Sequence, residues 1–299
     1  MTIEAVSQLV TRLAASTFAL AGLGAVLEEK LGGARLDPAT REEIERLLGT
    51  LEVPEMLSGV DPAQLGPVIA DVRSTFLQGA RIFLTPTSDP GWKLADATTL
   101  QTQGDVSARL PQNWNKNIVP HLEGLSARLA SKDGAFLDVG VGVAALSISM
   151  AQLWPSLRVV GIDPWAPALK IARENVARAN LPARIELREQ TVQDLTDVEV
   201  FDLAWLPSMF IGGALMRAAV ERICQALRPG GWILVGAVNP SPDPQLAAYL
   251  KLRDVLRGGC SITPAETEAL LRDAGYVQVQ TLAGGTATVR ASMVVGRRA

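Results

Sequence analysis

Apolar side chains recur three and four positions apart through the first 130 residues, and no strand-like run interrupts them. Asp37-Pro38 sets an N-cap ahead of a proline at the first helical position, and Thr40 to Glu43 adds the spacing of a capping box. The helix so started carries Ile44, Leu47 and Leu48 on one face and stops at Gly49. Asp61-Pro62 opens a second, with Leu65, Ile69, Val72, Phe76 and Leu77 at helical spacing. A turn-rich segment at 86–92 precedes helices expected around Asp96–Leu110 and Asn113–Ala130.

From Ala135 the pattern changes. Short apolar runs at 135–140, 158–163, 184–188, 201–206 and 231–238 alternate with helical stretches near 143–154, 166–180 and 211–227. Continuous runs of this length suit strands buried on both faces of a parallel sheet. A helix capped by Thr263 follows, then a run at 276–282, a turn at 283–286 and a run at 287–296, which together read as an antiparallel hairpin. The expected fold is α/β: a doubly wound, mostly parallel seven-stranded sheet with an antiparallel C-terminal hairpin, preceded by an all-helical region.

Composition narrows the chemistry. The 299 residues carry a net charge of −3 and no basic run, a poor match to nucleic-acid phosphates. Two cysteines far apart and a single histidine, His121, exclude a disulfide scaffold, a Cys-based zinc site and a multi-His metal site. The mean hydropathy of +0.20 raises the question of a membrane. The longest uncharged stretch near the N-terminus, Leu13 to Leu27, is shorter than the ~20 residues a span needs. Glu4 stands where an export signal would be basic. The stretch is therefore expected to be a buried or dimer-facing helix of a cytoplasmic homodimer, with no membrane partner.

The sharpest motif is FLDVGVGVAAL, residues 136–146. Gly140 and Gly142 leave a strand and enter a helix, so the chain turns tightly and bare backbone meets a ligand at the positive end of the helix. Asp163 ends the next strand, 23 residues beyond Gly140, where a carboxylate accepts from ribose hydroxyls. Gly140, Gly142 and Ala145 also fit a dinucleotide turn, so the residues alone leave NAD(P) open. Asp138, inside the strand end, is placed to meet a cationic amino group.

With these residues the sequence resembles the class I S-adenosylmethionine-dependent methyltransferases, over about residues 113–299. LDVGVGVA is similar to the family's first motif, with Ala144 where the last glycine is usual; GIDPW (161–165), LREQTVQDL (187–195), FDLAWLPSMF (201–210) and ALRPGGWILVG (226–236) follow in the family's order. The resemblance implies S-adenosylmethionine as cofactor. It places Asp138, Gly140 and Gly142 on the methionyl end, Asp163 on the ribose, and Pro164 and Trp165 against the adenine. Gln190, Thr191 and Val192 fall at the adenine edge, Thr191 standing where an Asp is frequent, and Leu206 falls beside the cofactor. It also divides the chain into a helical lid or dimerisation region, 1–131, and a Rossmann-like methyltransferase domain, 132–299.

The segment after the fourth strand lacks the N/D-P-P-Y/F pattern of amino-group methylases. Ser208, Met209 and Phe210 there, with Trp114, Gln103 and Tyr249, are the candidate acceptor contacts. Gln101, Gln103 and Ser107 form a polar stripe bracketed by Trp92 and Trp114. His121 is the one imidazole that could act as a base. Asp202 and Asn239 could be imagined around magnesium, but no metal is expected. The function expected is methyl transfer, to oxygen or carbon, on a small, largely apolar molecule of secondary metabolism. A regulatory protein that only binds the cofactor and an NAD(P)-dependent oxidoreductase are the rivals.

Overall fold

The structure, a computed structural model, describes residues 2–62, 65–84, 97–282 and 291–299. The segment at 86–92, Trp92 included, and the turn at 283–286 lie outside them. The chain forms two compact units, Met1–Thr85 and Pro86–Ala299. That division falls earlier than the change of periodicity at 131/132, because the helices over 97–130 pack with the sheet.

The first unit holds α1 (Ile3–Lys30), α2 (Pro38–Gly49), α3 (Val53–Met56) and α4 (Leu65–Leu84). Asp37 caps α2 by accepting from the amides of Ala39 and Thr40. Glu43 turns to Arg46 (2.8 Å) rather than completing a capping box. Only the second half of α1 is buried: Ala19 and Val26 pack with Leu48, and Leu27 with Leu65 and Ile69. Ion pairs Arg41–Glu29 (2.5 Å) and Arg73–Glu28 (2.8 Å) tie α1 to α2 and α4. The first half leaves Ile3, Val6, Val10 and Leu13 exposed, and Phe18 is exposed beyond it, so of the stretch expected to be buried or dimer-facing only one face, from Ala19 to Leu27, is buried. At 28 residues it is long and apolar enough to cross a membrane, by length and composition alone.

The second unit begins with α5 (Ala97–Ser107), α6 (Leu110–Asn117) and α7 (Leu125–Ala130). The single helix expected over 113–130 is broken, because Pro120 removes a donor and Gly124 adopts a positive φ of 74°. There follow β1 (Ala135–Val139), α8 (Ala145–Leu153), β2 (Arg158–Asp163), α9 (Ala166–Arg178), β3 (Ile185–Glu189), β4 (Phe201–Pro207), α10 (Met216–Ala226), β5 (Leu227–Val238), α11 (Pro244–Leu256), α12 (Pro264–Asp273), β6 (Tyr276–Leu282) and β7 (Ala291–Arg298). The sheet order is β3-β2-β1-β4-β5-β7-β6; β1 to β5 run parallel and β7 lies antiparallel between β5 and β6. This is the doubly wound seven-stranded sheet that the alternation of runs predicts.

Strands β1 and β4 are buried along their whole length. Phe136, Val159, Leu203, Trp205 and Trp232 face the layer that contains α6 to α9, while Leu137, Val160, Ala204, Leu206 and Ile233 face α10 and α12. Asp202, at the start of β4, accepts from Arg128 (3.2 Å), Arg228 (2.7 Å) and the Ala135 amide (3.0 Å). Its carboxylate is thus spent on fastening strand beginnings through two guanidinium groups and an amide. Asn239 accepts from Ser292.

Candidate functional site

The turn from β1 into α8 carries three residues at positive φ: Gly140 at 69°, Gly142 at 54° and Ala144 at 65°. Ala144, placed where the motif usually has glycine, keeps the glycine conformation and bears its cost, about 1 kcal/mol. The amides of Gly140 and Val141 donate to the carbonyl of Ile162 (2.8 and 3.0 Å), which fixes the turn to the end of β2. A Cβ at Gly140 would meet Pro207 only at 3.8 Å, and one at Gly142 only a turn carbonyl at 3.9 Å. The backbone here is bare, beside a helix start that no side chain caps.

Two carboxylates frame this turn. Asp163 accepts from the Gly142 amide (3.0 Å) and the Trp165 amide (2.9 Å). Burial raises its pKa, and the two amides oppose that rise. Asp138 is 2% exposed and accepts from the Ser147 hydroxyl (2.6 Å). Burial pushes its carboxyl up to about 7; the Ser147 hydrogen bond lowers it, and the charge of Asp163 adds to the rise. A buried carboxylate facing a single hydroxyl is suited to a cationic partner, and bare glycines beside a second acid suit a nucleoside. The residues present therefore fit a cofactor that joins an ammonium group to a ribose.

The neighbouring corner is partly assembled. Trp165 is half-buried against Leu100, Val143 and Ala168, and Pro164 is exposed. Gln190 follows Glu189, which pairs in register with Asp163. The Thr191 hydroxyl donates to Asp194 (2.5 Å), so the acid absent at 191 stands three residues on. Val192 is buried, and so is Leu206, whose side chain faces α10 and α12.

Helix α5 lies directly on the glycine turn. A Cβ at Gly104 would collide with Cγ2 of Val143, so only glycine lets the helix seat there. Asn175 donates to Gln101 (2.9 Å) and to the Val143 carbonyl (3.0 Å), locking α5, α9 and the turn together. Ser107 donates to the carbonyl of Gly104. Gln103 points elsewhere: it accepts from Arg257 (3.2 Å).

That contact opens onto the acceptor candidates. Trp114 is fully buried with its ring 5.0 Å from that of Trp205, which stands beside Asp138 in the β1–β4 register. A Cβ at Gly236 would meet the Trp205 ring at 2.8 Å and Met209 at 3.1 Å, so that glycine lets both side chains in. Phe210 lies under the Arg257 guanidinium, 5.6 Å from ring centroid to Cζ. On α11, Tyr249 lies under Arg253 (5.4 Å), four residues before Arg257. Ser208 is fully buried and donates to the carbonyl of Gly236, so its hydroxyl fastens the post-β4 segment to β5.

His121 is not brought to this end of the sheet. It is exposed in a short 3₁₀ turn, Val119–His121, and the following residue but one, Glu123, holds Trp232 and Arg297 near the start of β5 and the end of β7. The structure thus gathers Asp138, Gly140, Gly142, Asp163, Trp165, Trp114, Gln103, Met209 and Phe210, and leaves out His121. Arg257, Gly104, Trp205 and Asp194 escaped the sequence reading. The one signal for Arg257 is the Gly258-Gly259 pair after an amphipathic stretch.

A family model described as a methyltransferase domain matches residues 136–231. The chain is 30% identical over 168 residues to a ubiquinone biosynthesis O-methyltransferase of Nitrosospira multiformis, covering 53% of this chain and 67% of that one. It is 29% identical over 147 residues to the protein of the same name from Leptothrix cholodnii, covering 48% of this chain and 57% of the relative. Little more than half of the second relative's length is therefore spanned. Among solved structures, a mitomycin 7-O-methyltransferase superposes with a TM-score of 0.63 at 18% identity, covering 99% of this chain and 97% of that one.

Proposed function

The chain belongs to the class I S-adenosylmethionine-dependent methyltransferases, and from that premise we propose that it methylates an oxygen of a small, largely apolar molecule. The observation that carries this reading is the open glycine turn held between Asp138 and Asp163. When bound, S-adenosylmethionine supplies an electrophilic methyl group on a sulfonium, a displacement that needs alignment more than covalent help. Asp138 pairs with the ammonium group, and Asp163 accepts from the ribose hydroxyls. Gly140 and Gly142 let the backbone approach, Pro164 and Trp165 flank the base, and Gln190 to Val192 border its edge. Helix α5, pressed on the turn through Gly104, keeps water from the reacting atoms. Trp114, Trp205, Met209 and Phe210 supply an apolar wall against which the acceptor aligns.

The one histidine of the chain lies at the other end of the sheet. The acceptor's proton is then lost to solvent or to a carboxylate, and the rate rests on proximity. The names of the relatives favour oxygen as the methylated atom, and the mitomycin enzyme among the structural neighbours supports a natural-product acceptor. Calorimetry with S-adenosylhomocysteine and with NAD(P) tests the cofactor. Binding of the first alone is expected; binding of NAD(P) alone would sink the reading.

The exposed stripe of α1 is read as a contact with a second copy of the chain. Ile3, Val6, Val10 and Leu13 follow one face, and Ser7, Thr11, Glu4 and Arg12 interrupt the others. An interrupted stripe suits a partner helix better than surrounding lipid. Sedimentation should give a dimer, and changing Val6 and Val10 together to Glu should give a monomer. Partition of the wild-type chain into neutral vesicles would favour a membrane instead.

A further inference from the structure

Arg257 is held with unusual firmness for a residue that ends a surface helix. The amide of Gly259 donates to the Asp254 carbonyl (3.0 Å) and that of Gly258 to the Val255 carbonyl (3.0 Å). These are the two bonds of a Schellman turn, with Gly258 at φ 75°. The turn then docks on the segment after β4: a Cβ at Gly259 would collide with the Met209 carbonyl, and the Cys260 amide donates to the Ser208 carbonyl (3.3 Å). Backbone locked to backbone sets the guanidinium over the Phe210 ring, with the Gln103 amide oxygen beside it. Arginine stacked on a ring turns its N–H edges into the ring plane, a preorganised fork for planar oxyanions. The C-terminal end of α11 favours positive charge there. Asp254, buried next to Arg253 and Arg257, already accepts from Ser261 (2.5 Å).

Phe210 and Gln103, which touch the guanidinium, belong to the site. Phe210 continues the wall from Trp205 and Met209, and Gln103 is adjacent to Gly104 on the helix seated over the glycine turn. Next to Trp205, the Trp114 indole N–H is buried with no acceptor among the described residues. We propose that Arg257 is a specificity-determining residue that reads a planar oxyanion on the acceptor, either a carboxylate or an acidic hydroxyl ionised near neutral pH. This rests on the methyltransferase reading above, and it replaces a wholly apolar acceptor by an aromatic or conjugated anion.

The test is titration of the full chain, saturated with S-adenosylhomocysteine, with benzoate against benzamide and 4-nitrophenolate against 4-nitroanisole. At least one anion should bind about tenfold or more tightly than its neutral partner, the size expected of a charge-assisted pair. Preference within the first pair assigns the carboxylate, within the second the ionised hydroxyl. Arg257→Gln should abolish that preference and Arg257→Lys retain part of it, with S-adenosylhomocysteine affinity unchanged in both. Equal binding within both pairs, binding of none of the four, or a preference that survives Arg257→Gln overturns the proposal. The wild-type comparison stands even if a variant fails to fold. Failure of the wild-type chain to bind S-adenosylhomocysteine would instead overturn the methyltransferase reading itself.

Discussion

The two halves of the site are built on opposite plans. On the cofactor side, Asp138, the glycine turn and Asp163 come from 26 consecutive positions, 138–163, and backbone amides make most of the contacts. On the acceptor side, Gln103, Trp114, Trp205, Phe210 and Arg257 come from four separated stretches, and side chains make the contacts. A backbone site at strand ends follows from the parallel topology and constrains few residue identities. A side-chain site depends on how helices settle over the sheet, so it is free to vary.

This contrast can be broken or sharpened by experiment. The largest effect is expected for Asp163→Ala, which removes a hydrogen-bonded acid from the cofactor side. Affinity for S-adenosylhomocysteine should fall at least about a hundredfold by calorimetry. A drop below about threefold would mean that the turn alone binds the nucleoside. Next comes Gly259→Ala, which forces a methyl group into the Met209 carbonyl. Overpacking of this kind costs about 1–3 kcal/mol, read as a lower denaturation midpoint, while cofactor affinity at a temperature where the variant is folded should hold. Loss of cofactor binding in that folded variant would show that the two halves are coupled.

The third prediction concerns pH. Asp138 has a folded-state pKa raised to about 7, above its usual carboxylate value, so its contribution to the stability of the free protein is present at acid pH and lost as pH rises through 7. Pairing with an ammonium group needs the ionised form. Affinity for S-adenosylhomocysteine should therefore fall about tenfold per pH unit below 7, and Asp138→Asn should flatten the profile at a weak plateau. A wild-type profile flat from pH 5 to 8 would remove Asp138 from the cofactor side. A smaller gain, about 1 kcal/mol, is expected for Ala144→Gly in chemical denaturation, because the left-handed backbone then carries no Cβ penalty. The smallest effect is for His121→Ala: methyl transfer and its pH profile should stay within about twofold of wild type, as its distance from the site requires.

The fold was legible because buried parallel strands leave continuous apolar runs, as at 135–140, 201–206 and 231–238, while β3 and β6 at the sheet edges carry charged or alternating polar positions. The turn that Asp138, Gly140, Gly142 and Asp163 form was legible for a related reason: a strand that turns sharply into a helix needs glycine, and an acid at the next strand end accepts from the turn amide. Periodicity continues across a break in the helix. Apolar spacing around Trp114, Ile118, Leu122 and Leu125 suggested one helix with His121 beside the site, but Pro120 and Gly124 turn the chain and carry His121 away. Ser208, expected as an acceptor contact, instead spends its hydroxyl on fastening the post-β4 segment to β5. Arg257 could not be read from sequence, because its meaning depends on Phe210 and Gln103, 47 and 154 residues distant.

The seat of Gly104 on Val143 has a consequence in time rather than in affinity. A turn with a helix pressed directly on it exchanges its ligand no faster than the helix lifts. Were chemistry on an aligned acceptor to outrun such a movement, departure of the spent nucleoside would become the slow step. The first turnover would then appear as a burst, followed by a steady rate set by the breathing of α5, and the same steady rate would be shared by acceptors of quite different reactivity.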